Sequence, residues 1–375
     1  MKKSLKHWLL LVVMIATILP MQAADQFVQH KQEGFVWIAN GKALPVLVDN
    51  QEDKGVLRAA NDLLNDANAV TGTTPTLIYT PAGKQALVVG TINSKWIKQL
   101  IASKKIDGTE LKGKTEKFII QTIDNPFEGM EQAVVIAGSD KRGAIYGIYE
   151  LSEQMGVSPW YYWADVPAEK HDIVSIKAGS YTDGEPAVRY RGIFLNDEAP
   201  CLTGWVKNTF GTNYGGHKFY EKVFELILRL KGNYLWPAMW QWSFYADDPL
   251  NSPTADEMGI IMGTSHHEPM ARNHQEWARK RGEYGVWDYA TNQKTIDKFF
   301  REGIERAADT EDLITIGMRG DGDTPMGGKE GQDDKFVPDY DYMIKLMKKI
   351  INNQRKIIKD VTGKPAKQRP QVWAL

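Results

Sequence analysis

The sequence predicts an α/β protein in two parts, an N-terminal α/β domain followed by a run of repeating β/α units. Three observations predict it. Short apolar runs alternate with stretches of helical periodicity along most of the chain, the patterns that mark buried strands and amphipathic helices. A turn-rich stretch, Asp183-Gly184-Glu185-Pro186, divides the chain, and clusters of Gly, Pro and Asp of this kind punctuate structure. Beyond it, polar and aromatic clusters consistently follow the apolar runs on their C-terminal side.

The first 24 residues stand apart. Lys2, Lys3 and Lys6 precede an apolar stretch from Trp8 to Leu19, and Ala23 offers a small residue before Ala24 at the expected cleavage point. The stretch is too short to span a bilayer comfortably and has the layout of a signal peptide. A periplasmic or secreted protein is expected, with no membrane contact after cleavage. Cys201, the one cysteine, lies far from that point, which argues against a lipid anchor and excludes an internal disulfide.

Residues 25–180 are expected to form a non-catalytic α/β domain. Gln85–Gly90, Phe118–Ile123 and Ala133–Ala137 read as buried strands and Leu57–Ala69 as a helix. A second helix opens at Ser139-Asp140, carries Ile145, Ile148 and Leu151 at helical spacing and ends at Gly156. The aromatic run Trp160-Tyr161-Tyr162-Trp163 could stack on sugars, but reads better as a packed junction with the second part of the chain.

In residues 181–375, Val188–Leu195, Asn233–Met239, Gly259–Gly263, Leu313–Met318 and Gln371–Leu375 read as strands, and Lys218–Leu230, Ile296–Ala308 and Tyr340–Lys359 as helices. Such alternation implies parallel strands covered by helices. Clusters at the C-terminal strand ends match the catalytic face of a (β/α)₈ TIM barrel. A doubly wound sheet also fits the alternation, but its usual Gly-rich phosphate loop after the first strand is missing. About five strands are read where eight close a barrel. The expectation is an incomplete barrel, truncated within an apolar strand, with open sheet edges.

Composition agrees with a folded protein and gives no sign of nucleic-acid binding. The hydrophobic fraction of 42% and charged fraction of 25% are ordinary for a globular chain. The formal net charge of −1 favours neither nucleic acid nor an anionic membrane. The 12 Trp and 15 Tyr could fill a core, and they also suit the apolar faces of sugars.

Four clusters carry candidate chemistry. Asn196-Asp197-Glu198 follows the first strand of the second part, and Asp197 there could bind hydroxyls, act as acid or base, or simply cap a loop. Trp236-Pro237-Ala238-Met239-Trp240-Gln241-Trp242 follows the second, with Trp240 nearest the expected mouth. Gly263-Thr264-Ser265-His266-His267-Glu268 follows the third. A helical zinc motif would need His at position 271, which is Ala271, so no metal is called for. If that segment is extended, only one of His266 and His267 faces the site. Gly317-Met318-Arg319-Gly320-Asp321-Gly322-Asp323 follows the fourth. Arg319 offers a planar fork for a carboxylate, and Asp321 and Asp323 offer acids. An EF-hand starting at Asp321 fails at Met326 and Gln332, and a P-loop ending at Gly328-Lys329 fails at Asp323 and Glu330. An active-site loop or a plain acidic turn remains. Glycoside hydrolysis needs two carboxyl groups, which Asp197 and Asp323 could supply across one mouth.

The stretches Tyr190–Glu198, Asn233–Trp240, Gly263–Met270 and Gly317–Asp323, with Tyr146–Leu151 and Ser158–Trp160 in the first part, together resemble the xylan α-1,2-glucuronidases of glycoside hydrolase family 115. The resemblance implies a non-catalytic first domain and a barrel that removes (4-O-methyl)glucuronic acid from glucuronoxylan with inversion. It implies Asp323 and Asp197 as catalytic residues, and His266, Arg319 and Trp240 as substrate-binding residues. No cofactor is implied, and oligomeric state is left open. It also implies that later barrel strands supply part of the site, so that this 375-residue chain alone does not turn over. Two other readings stay open: a sugar-binding protein of a polysaccharide-utilisation system, and another exo-glycosidase resembling a hexosaminidase.

Overall fold

The structure is a computed structural model that describes residues 26–196, 198–237, 241–326, 328–330, 336–365, 368 and 371–373; for 323, 328–330, 336–338 and 371–373 it describes the backbone alone. The segment read as a signal peptide lies outside the described residues.

The first part contains β1 (Val28–Gln29), β2 (Phe35–Ala39), β3 (Lys42–Ala43), β4 (Val46–Val48), α1 (Lys54–Thr71), β5 (Leu77–Ile78), β6 (Gln85–Thr91), α2 (Lys95–Ala102), β7 (Phe118–Asp124), β8 (Gln132–Gly138), α3 (Lys141–Gln154), β9 (Val174–Ile176) and β10 (Ser180–Tyr181). Among the described residues, six strands form one sheet in the order β10-β7-β8-β6-β4-β5. Period-two alternation sorts its side chains between two faces. Leu87 and Val89 pack with Val56, Leu63 and Ile148, whereas Ala86 and Val88 pack with Trp96, Ile97 and Leu100. Asp53 and Asp140 open the two long helices by accepting from the amides of Gly55 and Gly143, the N-cap role that short acidic side chains fill.

The second part contains β11 (Gly192–Leu195), α4 (Cys201–Phe210), α5 (His217–Arg229), β12 (Tyr234–Pro237), α6 (Phe244–Asp247), α7 (Asn251–Met258), β13 (Ile261–Met262), α8 (His274–Arg279), α9 (Arg281–Tyr284), α10 (Tyr289–Arg306), β14 (Ile314–Ile316), β15 (Gly328–Glu330), β16 (Phe336–Pro338), α11 (Tyr340–Thr362) and β17 (Gln371–Trp373). β11 pairs with β12, β12 with β13, and β14 with β17, all parallel. The two groups are joined where the Leu313 amide donates to the Met262 carbonyl at 2.8 Å, the Met262 amide donates to Asp312 at 3.0 Å, and the Thr315 hydroxyl donates to the Thr264 carbonyl. The wall thus runs β11-β12-β13-β14-β17 in chain order, with helices in each connection. A doubly wound sheet reverses strand order at its switch point; an unbroken sequential order is the barrel arrangement. The α/β reading and its barrel-like second part therefore hold.

Local expectations fared unevenly. The strand expected over Val188–Leu195 begins only at Gly192. Arg191 turns aside because its amide is bound by Asn233 at 2.9 Å and its guanidinium by Glu116 at 2.6 Å. The helix expected from Ile296 starts at Tyr289, capped by Asp288. The aromatic run at 160–163 packs at the junction: the Tyr161 hydroxyl donates to Glu225 at 2.8 Å, and the Trp163 indole donates to the Lys222 carbonyl at 3.1 Å. Beside it, Arg229 on α5 binds both oxygens of Asp66 on α1 at 2.9 and 3.1 Å.

Candidate active site

The C-terminal ends of β11, β12 and β13 surround a hollow of about 290 Å³ lined by Phe194, Asn196, Glu198, Trp236, Ser265, His266 and His267. Parallel register places Phe194 opposite Trp236, and their rings meet edge to face, 5.1 Å apart at 71°. Asn196 donates to the Glu198 carboxylate at 3.0 Å. Apolar rings flanked by an acid and imidazoles suit a pyranose, whose faces are apolar and whose rim is hydroxylated.

His266 and His267 both border this hollow, contrary to the expectation that one would turn away. The segment is a turn, not a strand: the Glu268 amide donates to the Ser265 carbonyl at 2.9 Å. The two imidazole centroids consequently lie only 4.4 Å apart. The turn is held from behind. The Thr264 hydroxyl donates to the Glu268 carbonyl at 2.9 Å, and Asn273 donates to the buried Glu268 carboxylate at 3.0 Å. Just beyond, Met270 and Ala271 have φ of 60° and 54°, a region costly for residues with a Cβ and seen where surroundings enforce it. Arg306 on α10 enforces it by donating to the Ala271 carbonyl, and Gly303 leaves room, since a Cβ there would lie 2.1 Å from the Met270 carbonyl oxygen. Arg306 also pairs with Glu276 at 2.6 Å. Burial pushes the Glu276 carboxyl up, but Arg306 and Arg272 outweigh it and hold it below the usual range.

The fourth cluster begins where β14 ends. The Arg319 carbonyl accepts from the Trp287 indole at 2.9 Å. Asp321, expected to offer an acid to substrate, is engaged elsewhere: Arg281 grips both its oxygens at 2.5 and 2.8 Å. That grip, helped by His274 at 3.1 Å, holds its carboxyl below the usual range. Asp323 ends the 3₁₀ turn Asp321–Asp323; its side chain, like Asp197 and Trp240 as whole residues, lies outside the described residues. Of the five expected site residues, His266 is thus placed at the hollow and Arg319 at the end of β14. Sequence reading ranked Trp236, which β12 alternation sets on the same face as Tyr234, below Trp240, and Glu198 below Asp197.

A larger hollow of about 700 Å³ includes Glu116, Arg142, Arg191, Asn233 and Asp312 in its lining. It lies at the N-terminal strand ends, opposite the catalytic face of a barrel. Its central charges are already paired, Glu116 with Arg142 and Arg191 at 2.6 Å each. Among the described residues, no group of three or more His, Cys, Asp or Glu side chains is placed to hold a metal ion, and no helix is long and apolar enough to cross a membrane.

Sequential β/α units define a β/α-barrel-like protein, and its aromatic, imidazole- and carboxylate-lined hollow at the strand tips is the candidate site. Residues 183–375 match glycosyl hydrolase family 115, and residues 39–151 match the glycosyl hydrolase family 67 N-terminus. The chain belongs to glycosyl hydrolase family 115. It is similar, at 33% identity and a TM-score of 0.76, to a structure described as a novel family GH115 4-O-methyl-α-glucuronidase with specificity for decorated arabinogalactans; the match covers 90% of this chain and 42% of that one. The fold is also shared with a mutant Streptomyces plicatus β-hexosaminidase in complex with product, at 10% identity and a TM-score of 0.50, over 91% of this chain and 63% of that one. No curated protein matches the chain.

Proposed function

We propose that the protein is a glycosidase that removes (4-O-methyl)glucuronic acid side chains from a polysaccharide with inversion. Family membership over residues 183–375 carries this reading. The hollow at the strand tips supports it, because His266 and His267 can donate to a sugar rim while Phe194 and Trp236 cover an apolar face. Asp323 is assigned the general acid or base role with Asp197 as a second carboxyl. Arg319 or His266 is assigned the uronate carboxylate, and Trp240 a stacking role. Inversion requires two carboxyls roughly 6.5–9.5 Å apart with water between them.

Glucuronoxylan is the first substrate reading, from the sequence blocks shared with xylan α-1,2-glucuronidases. Decorated arabinogalactan is the second, favoured by the similar structure described with that specificity. Residues 25–180 are taken as a non-catalytic domain, and residues 1–24 as a signal peptide leading to the periplasm or medium.

The test is to incubate the complete protein with each polysaccharide and separate released uronic acids chromatographically, with NMR of the first-formed anomer. Release of β-configured uronic acid from an α-linked substrate is expected, lost in Asp323→Asn with substrate still bound. Binding without any release would make it a sugar-binding protein. Release of a neutral sugar in place of the uronic acid would make it a different exo-glycosidase.

A further inference from the structure

The loop after β14 is supported by the long connection between β13 and α10. Trp287 and Arg281 contribute by donating to the Arg319 carbonyl and the Asp321 carboxylate, and so does the backbone: the His274 amide donates to the carbonyl of the hollow-lining His267 at 3.0 Å. The His274 ring meets the Trp287 ring at 5.1 Å, and its Nε2 lies 3.1 Å from Asp321. Contacts therefore run His267–His274–Asp321, tying the ends of β13 and β14 to one support.

This loop needs outside support. Gly320 and Gly322 give it backbone freedom, and Gly322 has φ of 66°. The Arg281–Asp321 pair adds directional constraint through two parallel N–H···O bonds. Its partners are 47% and 42% exposed, and pairs that open to water contribute little to global stability. Orientation is what such a pair supplies here.

We propose that Arg281, His274 and Trp287 are positioning residues that clamp the Arg319–Asp323 loop in register with the His266-His267 turn. The clamp sets the angle at which a group carried by one strand end meets a substrate held by the other. The inference deepens the glucuronidase reading and rests on it for its kinetic consequence. Its geometric content, that the clamp orders the loop, is independent of that reading.

The test uses Arg281→Met, Arg281→Lys and Asp321→Asn in the complete protein, because these exposed groups can be changed without emptying the core. Trp287→Phe, which keeps a ring but loses the N–H, is the companion. Arg281→Met should lower kcat about tenfold or more, in line with the rate cost of a small misplacement. KM and the thermal midpoint should stay close to wild type, and Arg281→Lys should recover part of kcat. Hydrogen exchange of the amides in 318–324 should quicken about fivefold or more as local opening becomes easier. Wild-type kcat in Arg281→Met and Asp321→Asn, or unchanged exchange in 318–324, overturns the proposal. If the complete wild-type protein releases no uronic acid, the functional reading fails, and exchange alone decides the clamp.

Discussion

Asp62 on α1 is the sharpest place to test the junction between the two parts. The Tyr149 hydroxyl on α3 donates to its carboxylate at 2.7 Å. Burial first, and Glu225 on α5 second, push its pKa up from 3.8 to about 6, against the opposing pull of the Tyr149 hydrogen bond, then Arg229 and Arg58. Arg229 is engaged by Asp66 on α1, and Arg58 by Glu221 on α5 at 3.3 Å, so neither guanidinium offsets the burial of Asp62 in full.

The folded protein therefore holds a proton on Asp62 that the unfolded chain releases above pH 4. This contribution to stability is fully present below the unfolded pKa and is lost as pH rises through the folded one. Each pH unit between the two values is worth about 1.4 kcal/mol, so the window from 3.8 to about 6 amounts to roughly 3 kcal/mol, reached above pH 6. Asp62→Asn keeps an acceptor for Tyr149 but cannot ionise. Against wild type it should be nearly neutral at pH 4 and stabilising by about 2–3 kcal/mol at pH 7. Calorimetric or fluorescence melts of both proteins from pH 4 to 7.5 give the difference curve, in which other titrating groups cancel. A flat difference curve would refute the reasoning; a curve of opposite slope would mean that Arg229 and Arg58, not burial, govern Asp62.

Three further outcomes are expected. Arg229→Met takes the guanidinium from Asp66 and Glu225 in a junction where all three side chains are under 10% exposed, and leaves Glu225 with only Lys222 and Tyr161; it should cost about 3–5 kcal/mol in urea unfolding, and Asp66→Asn should recover part of that. Gly263→Ala would put a Cβ 1.7 Å from the Tyr234 hydroxyl, so overpacking of about 1–3 kcal/mol is expected, eased by Tyr234→Leu, as melting midpoints of the single and double variants would report. Trp236→Leu removes the broad face opposite Phe194 and should raise KM about tenfold for the uronic acid polysaccharide with little loss of stability; an unchanged KM in steady-state assays would move the sugar to another surface.

How far the sequence could be read depends on the range of the forces involved. Helices α1, α3, α5 and α11 and strands β6, β7 and β8 appear near their expected bounds, because apolar period and caps such as Asp53 and Asp140 act within a few residues. The short helices α4, α6, α7, α8 and α9 lie in connections and were not read, since four to ten residues leave little period to detect. The site divides the same way. His266 could be placed at a strand tip by counting from an apolar run, yet the turn that brings His267 beside it depends on Asn273 gripping Glu268. Asp321 sits in the most conspicuous acidic cluster of the chain, but its partner Arg281 is 40 residues away, and no local pattern announces that pairing. β13 is two residues long and aims no side chain beyond its own end. The His266-His267 turn, the Arg319 backbone and the Asp321 carboxylate are consequently held by Arg306, Asn273, Trp287 and Arg281 on the connecting segments. If this holds, variants in that connection should alter turnover as strongly as variants lining the hollow, while substitutions on the outer face of α10 away from Gly303 and Arg306 should leave it unchanged.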